Sequence, residues 1–155
     1  MRMGDQPGKK DYRDVMWARH SNPKSGWSRL ASWPLFVMAV YFRKRWLIVL
    51  TILFGIINPV LFSEPENVED DWMYRVVQAE KRWLDDGNRL LGLRYPQILN
   101  SIGLLAMVYG LYAAYKRRPI STALSSIAGL ALGQLCMKAI IDHYDRLDNQ
   151  NACDR

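Results

Sequence analysis

Histidine and cysteine are scarce in this chain, at two residues each among 155. Cys136 and Cys153 cannot build a disulfide framework. His20 and His143 stand in no His-x-x-x-His or Glu-x-x-His spacing, so a metal centre would have only that pair to draw on, with Asp142 or Glu64 beside it. No metal or other cofactor is expected. Catalytic motifs are missing too: there is no Gly-x-Ser-x-Gly, no Cys-x-x-Cys and no glycine-rich phosphate loop. Nothing in the pattern calls for an enzyme. The first 29 residues hold no apolar run of the signal-peptide kind, so no cleavable signal is expected.

The most telling absence is local. A charged fraction of 23% and a mean hydropathy of -0.16 look like a soluble domain. Yet Asp, Glu, Lys and Arg are missing from residues 30–42, 46–62, 96–115 and 119–137. A hydrocarbon core about 30 Å thick needs about 20 helical residues, and about 17 suffice. The last three windows, of 17, 20 and 19 residues, meet that length, and the first, of 13, does not; a start near Trp27 makes it a thin span of about 24 Å. Arg43-Lys44-Arg45 and Lys116-Arg117-Arg118 separate the windows pairwise. A charged triplet in the middle of one long membrane helix is costly, so each triplet is expected at a turn. Those six cations also account for the formal net charge of +6, which removes the case for a nucleic-acid partner.

The expected fold is therefore all-α: an integral membrane helical bundle of two helical hairpins, about four transmembrane helices. A polar basic tail (1–26) precedes a membrane domain (27–146) with helices near 27–42, 46–62, 96–115 and 119–143, and residues 147–155 form a C-terminal tail. An acidic loop carrying Glu64, Glu66, Glu69, Asp70 and Asp71 joins the hairpins, with Asp71 placed to cap the next helix. That helix, near 72–86, is amphipathic. Its Trp72, Val76, Ala79 and Trp83 recur at helical spacing, which predicts an interfacial helix in the headgroup layer, stopped by Gly87. Trp46, Tyr41, Tyr112 and Tyr115 mark one membrane surface, and Trp27, Trp33, Trp72, Trp83, Tyr95 and Tyr144 the other.

In lipid, helices associate through small residues and polar contacts. Ala106, Gly110 and Ala114 on the third span, and Ser121, Ser125, Gly129 and Gly133 on the fourth, recur every fourth position. The two stripes are expected to face each other. A polar constellation gathers at the end away from the basic turns: Arg29, Asn58, Arg75, Glu80, Asn100, Gln134, Lys138 and Asp142. Gln134, Lys138 and Asp142 share a helix face, and Lys138 is expected to pair with Asp142 or with Glu80.

The block His20-Ser21-Asn22-Pro23-Lys24-Ser25-Gly26-Trp27-Ser28-Arg29 resembles the N-terminal signature of an uncharacterised family of small prokaryotic membrane proteins, known only as a domain of unknown function. The resemblance extends to Asn58-Pro59-Val60-Leu61-Phe62, to Trp72-Met73-Tyr74-Arg75, and to Lys138 followed by Asp142 and Tyr144. Lys24 departs from the aromatic expected at that place. The resemblance implies a multi-pass protein of the prokaryotic cell membrane and brings no assigned activity.

Three functions fit these observations. The first is a structural or interaction protein, with the bilayer and either a second copy or another membrane protein as partners. The second is an oligomeric small-solute or ion translocator using Lys138 and Asp142. The third is a lipid-headgroup binder or enzyme with Arg29, Arg75 and Lys138 as a phosphate clamp.

Overall fold

The computed structural model describes residues 12–63, 65–66, 68 and 70–153. Among these it contains six α-helices and no strand: α1 (Tyr12–His20), α2 (Pro23–Tyr41), α3 (Arg45–Leu61), α4 (Trp72–Asp85), α5 (Gln97–Tyr115) and α6 (Pro119–Cys153). The chain is all-α, and it doubles back between α2 and α3 and between α5 and α6. Glu64 and Glu69 of the acidic loop lie outside the described residues, as does the start of the basic tail.

Both reversals occur at the basic triplets and use one backbone device. Arg43 and Arg117 are left-handed, at φ 55° and 56°. The amide of Lys44 donates to the Ala39 carbonyl and that of Arg43 to Val40; Arg118 and Arg117 donate likewise to Ala113 and Ala114. This crossed pair of bonds closes a helix whose next residue is left-handed. The same cap ends α4, where Asn88 and Gly87 donate to Trp83 and Leu84, with the expected glycine at φ 80°. Asp71 caps the start of α4 by accepting from the Met73 amide at 2.8 Å.

Several boundaries differ from expectation. α2 begins at Pro23 rather than Trp27, because Asn22 caps it by accepting from the Lys24 amide at 2.9 Å and Pro23 opens its first turn. α6 continues to Cys153, ten residues past His143, so no separate C-terminal tail follows it within the described residues. Its 35 residues span roughly 52 Å. Four spans were expected, but only α5 and α6 are both long and apolar enough to cross a membrane. α3 is apolar but shorter, and the first half of α2 carries Ser25, Ser28, Arg29 and Ser32.

The two hairpins pack differently. α5 and α6 touch along their small residues. A Cβ added to Gly129 would lie 2.9 Å from the Gly103 carbonyl oxygen and 2.5 Å from Met107 Cγ. One added to Gly110 would lie 2.9 Å from Ser125 Oγ. Ala113 and Ala114 have no exposure at all. Ala106, Ser121 and Gly133 flank this seam, half-buried. α2 and α3 instead open away from each other in their middle, where a Cβ on Gly55 would meet nothing within 4 Å.

The position of α4 is the main correction. Met73, Val76, Val77, Ala79 and Trp83 follow one face of this helix, and all five are buried. That face packs on Cys136, Ile140, Ile141 and Tyr144 of α6. The amphipathic face is covered by protein rather than presented to headgroups. Trp72, Trp83, Trp33 and Tyr144 are consequently packing residues, whereas Trp27, Trp46, Tyr95, Tyr112 and Tyr115 are exposed.

Candidate functional site

The polar half of α2 meets the end of α3 through a closed set of hydrogen bonds. Asn58 is fully buried. Its Oδ1 accepts from Ser25 Oγ at 2.7 Å, and its Nδ2 donates to Ser28 Oγ at 2.7 Å. Ser28 Oγ in turn donates to the Ser25 carbonyl at 3.0 Å. Asn22 Nδ2 adds a bond to the Ser63 carbonyl at 3.0 Å. Ser25 and Ser28 lie three apart, so one face of α2 presents both to α3. A buried amide with all these bonds made fixes the register of the two helices, since leaving any of them unmade costs about 1–3 kcal/mol.

One residue further, Arg29 joins three elements. Its Nη1 donates to His20 Nε2 at 2.8 Å. Burial first, and then the neighbouring Arg29 charge, lower the His20 pKa to about 4, so the ring is uncharged at neutral pH and free to accept that bond. Glu80 of α4 lies near enough for its charge to interact with that of Arg29. Burial raises its pKa above the usual carboxylate range, and attraction to Arg29 pulls in the opposite sense. Arg29 thus links α1, α2 and α4. Sequence reasoning weighed His20 only for a metal centre; its nine-residue separation from Arg29, across a helix cap, carries no pattern of its own.

Arg29 also borders a cavity of about 420 Å³, whose walls include Gly26, Leu30, Trp33 and Phe36 of α2, Thr51, Ile52 and Gly55 of α3, and Met107, Leu130 and Gln134 of α5 and α6. Two side-chain donors of its lining, Arg29 Nε and Trp33 Nε1, are buried and have no hydrogen-bond partner among the described residues. Gln134 is held by α4, its Oε1 accepting from Trp72 Nε1 at 2.9 Å. A second crevice of about 350 Å³, nearly all apolar, lies between α2 and α6 towards the basic turns and shares Trp33 and Leu130 with the first.

The rest of the expected constellation is dispersed. Arg75 pairs with Asp145 at 2.7 Å on the exposed flank of α4 and α6, next to the two-pronged pair of Arg82 with Asp148 at 2.9 and 3.0 Å. Asn100 donates to the Leu90 carbonyl at 3.1 Å, and Ser101 holds both backbone groups of Gly92, so these residues fasten the loop before α5. Lys138 is exposed and makes no ion pair among the described residues. The expected partner Asp142 is also exposed, and the charge of Glu80 interacts with that of Arg29 instead. The three-cation clamp of Arg29, Arg75 and Lys138 is therefore not assembled. His143 stacks edge-on against Trp83 at 6.1 Å while His20 serves Arg29, and no three His, Cys, Asp or Glu side chains converge to hold a metal among the described residues. The chain matches no family model, no curated protein and no solved structure.

Trp33, Ser25, Ser28, Gly55 and Gly103 are the site and seam residues that the sequence reading passed over. Arg29, Trp33 and Phe36 at i, i+4 and i+7 share a face of α2. That face grades from cationic to aromatic, a signal that was available. Gly103 lies seven residues before Gly110, again on one face.

Proposed function

We propose that this chain is a small integral membrane protein with a structural or interaction role and no catalysis of its own. Its two helical hairpins lie in the bilayer, and α1 and α4 are fastened across one end. The observation that carries this reading is the lack of cover over the apolar helices. Only 22% of the α5 span and 28% of the α6 span is buried, whereas the core helix of a soluble protein is mostly covered. The outward surface is made of Leu35, Met38, Leu50, Leu53, Ile56, Leu105, Leu124 and Ile127, each about half exposed or more. A continuous apolar surface of this kind needs lipid or partner protein against it. The overshoot of α6 fits as well. About 20 of its residues cross the hydrocarbon, and the charged remainder stands outside, where α4 and its arginines bind it.

The polar groups act in this reading as fasteners. Asn58 sets α2 against α3, Gln134 sets α4 against α6, and Arg29 ties α1, α2 and α4 together. Lys138 and Asp142, on which an oligomeric translocator would draw, lie exposed on α6.

The test is extraction. The full chain is expected to stay with the membrane fraction through washes in alkaline carbonate and high salt, and to leave only with detergent. Release by carbonate would sink the proposal. Recovery as a mixed-size aggregate without detergent and as a defined species with it would agree with the proposal.

A further inference from the structure

We propose that the cavity between α2, α3 and α6 binds an anionic phospholipid of the bilayer. Its phosphodiester oxygens would accept from Arg29 Nε and Trp33 Nε1, and its two acyl chains would lie in the two crevices that share Trp33 as a wall. This rests on the membrane placement proposed above and adds a ligand to it.

The polar end of the cavity is lined by two residues whose buried side-chain donors have no partner among the described residues. A buried N–H without a partner is uncommon in a folded protein, because leaving it unmade carries a desolvation cost. Here there are two, Arg29 Nε and Trp33 Nε1, both on groups lining one cavity. They sit four residues apart on α2 and so project from the same face. Neither is engaged by its neighbours, since the one bond of the Arg29 guanidinium runs from Nη1 to His20. Glu80 offsets part of the Arg29 charge from the α4 side but does not line the cavity, whose only ionisable wall residue is Arg29. An oxyanion satisfies both donors at once, and hydrogen bonds to charged partners are the strong kind.

The remainder of the site is apolar and opens laterally. From Arg29 the lining of α2 passes through Trp33 to Phe36, about 10 Å further along the axis. α3 opposes this with Ile52 and Gly55. Beyond Trp33 the second crevice continues between Val37 and Met38 on one side and Ile127 on the other. Of its polar lining residues, Thr122 donates to the Arg118 carbonyl, and Ser126 Oγ is buried without a partner among the described residues. The two crevices join at Trp33 and Leu130, about one helical turn from Arg29, which suits a head with two chains; a fatty acid would fill one crevice and leave the other bare. Pro34 and Pro59 lie inside the continuous helices α2 and α3 and offer no N–H to the carbonyls of Leu30 and Gly55, and both of those residues border the cavity.

The experiment uses the full chain in phosphatidylcholine nanodiscs doped with dioleoylphosphatidylglycerol, with lipid retention read by native mass spectrometry. Oleate is a separate arm. Two variants accompany the wild type. Gly55→Leu extends a side chain into the cavity from a position where a Cβ meets nothing within 4 Å, so the fold should tolerate it. Trp33→Phe keeps a ring and removes the donor. Both lipids offer the phosphodiester, but the choline ammonium of phosphatidylcholine cancels the charge that Arg29 meets, so the wild type should retain phosphatidylglycerol about tenfold over phosphatidylcholine. Gly55→Leu should abolish the preference and Trp33→Phe should reduce it, with unchanged oligomeric mass in both. Equal retention of the two phospholipids overturns the proposal, as does retention of oleate in place of phosphatidylglycerol. A preference that survives Gly55→Leu puts the lipid elsewhere and also overturns it. A drop in oligomeric mass with Gly55→Leu would make the cavity a contact between copies of this chain and would overturn it too. None of these outcomes bears on the carbonate test, which reads membrane placement alone.

Discussion

The α2–α3 and α5–α6 hairpins turn through the same cap and then pack in opposite ways. α5 and α6 contain no proline after their first residue, and glycines bring their backbones together. α2 and α3 each carry an internal proline, Pro34 and Pro59, and part around Gly55. The first pair is held by close van der Waals contact along its length, and the second by one buried amide at its end. The difference separates two uses of a glycine. At Gly129 the missing Cβ admits the opposite backbone, whereas at Gly55 it leaves room. Helix spacing in the sequence does not distinguish them, but the nearby proline does.

The sharpest way to break this comparison is to fill both glycines with the same side chain. Gly129→Leu drives a Cβ to within 2.9 Å of the Gly103 carbonyl oxygen, a backbone atom that cannot swing aside. Overpacking of this kind costs about 1–3 kcal/mol or somewhat more. Gly55→Leu meets nothing within 4 Å and should change stability by less than about 0.5 kcal/mol. Unfolding of the two variants in detergent, followed by helical circular dichroism, should separate them by several degrees in Tm. Equal losses would show that the α2–α3 opening is closed in solution.

Next in size is the fastener of the open hairpin. Asn58→Leu keeps the volume but takes the side-chain acceptor from Ser25 Oγ and the donor from Ser28 Oγ, whose own bond to the Ser25 carbonyl remains, and should cost about 1–3 kcal/mol. A triple replacement, Asn58→Leu with Ser25→Ala and Ser28→Ala, should recover part of that loss, because no buried polar group is then left without a partner. If the single and triple variants are equally unstable, the bonds themselves rather than the stranded hydroxyls carry the energy.

Much of the architecture was legible because it follows from where charge is missing. The uncharged windows became α3, α5 and the first half of α6, both basic triplets became turns, and Asp71 and Gly87 bound α4 as their chemistry suggests. What could not be read was the direction of an apolar face. Trp72, Val76, Ala79 and Trp83 form the same stripe whether lipid or protein covers them, and only the tertiary packing against Cys136, Ile140, Ile141 and Tyr144 of α6 decided for protein. Lys138 failed for a related reason. A four-residue spacing to Asp142 brings two residues to one face, but both face outward, where pairing is worth little. Glu80 was drawn instead to Arg29, across a tertiary contact that no local spacing encodes. The open cavity was hidden because its walls come from separate helices that no local spacing relates.

Acidity provides a smaller test, confined to the α2 side, since the seam of α5 and α6 is built of glycine, alanine and serine. His20 binds its proton less tightly in the folded chain, at about 4, than at its ordinary 6.5. Between those values the unfolded chain takes up more protons, so stability falls as pH drops through the window. Glu80 acts in the other sense: its raised pKa favours the folded state at low pH, and that contribution is lost as pH rises. His20→Gln should therefore flatten the acid-side decline in Tm between pH 6.5 and 4, whereas Glu80→Gln should steepen it. Parallel profiles for wild type and His20→Gln would remove the Arg29–His20 contact from the account.

The smallest expected effect tests what the two hairpins share. A left-handed residue other than glycine is strained by about 1 kcal/mol, and both turns place an arginine there, at Arg43 and Arg117. Glycine would relieve the strain but gives the unfolded chain more freedom, which returns about 0.4–1 kcal/mol. Arg117→Gly should thus leave stability unchanged or raise it slightly. Arg43 differs in one respect: its guanidinium carbon lies 5.6 Å from the centre of the Tyr115 ring at the end of α5, joining the two turns. An exposed contact of this kind is worth about 0.5–1 kcal/mol. Arg43→Gly should accordingly be less favourable than Arg117→Gly by that amount. Repeating both in a Tyr115→Leu background should make them equal, because only the ring distinguishes the turns. A difference that persists without the ring would mean that the two caps, alike in their backbone bonds, are not equivalent in the folded chain.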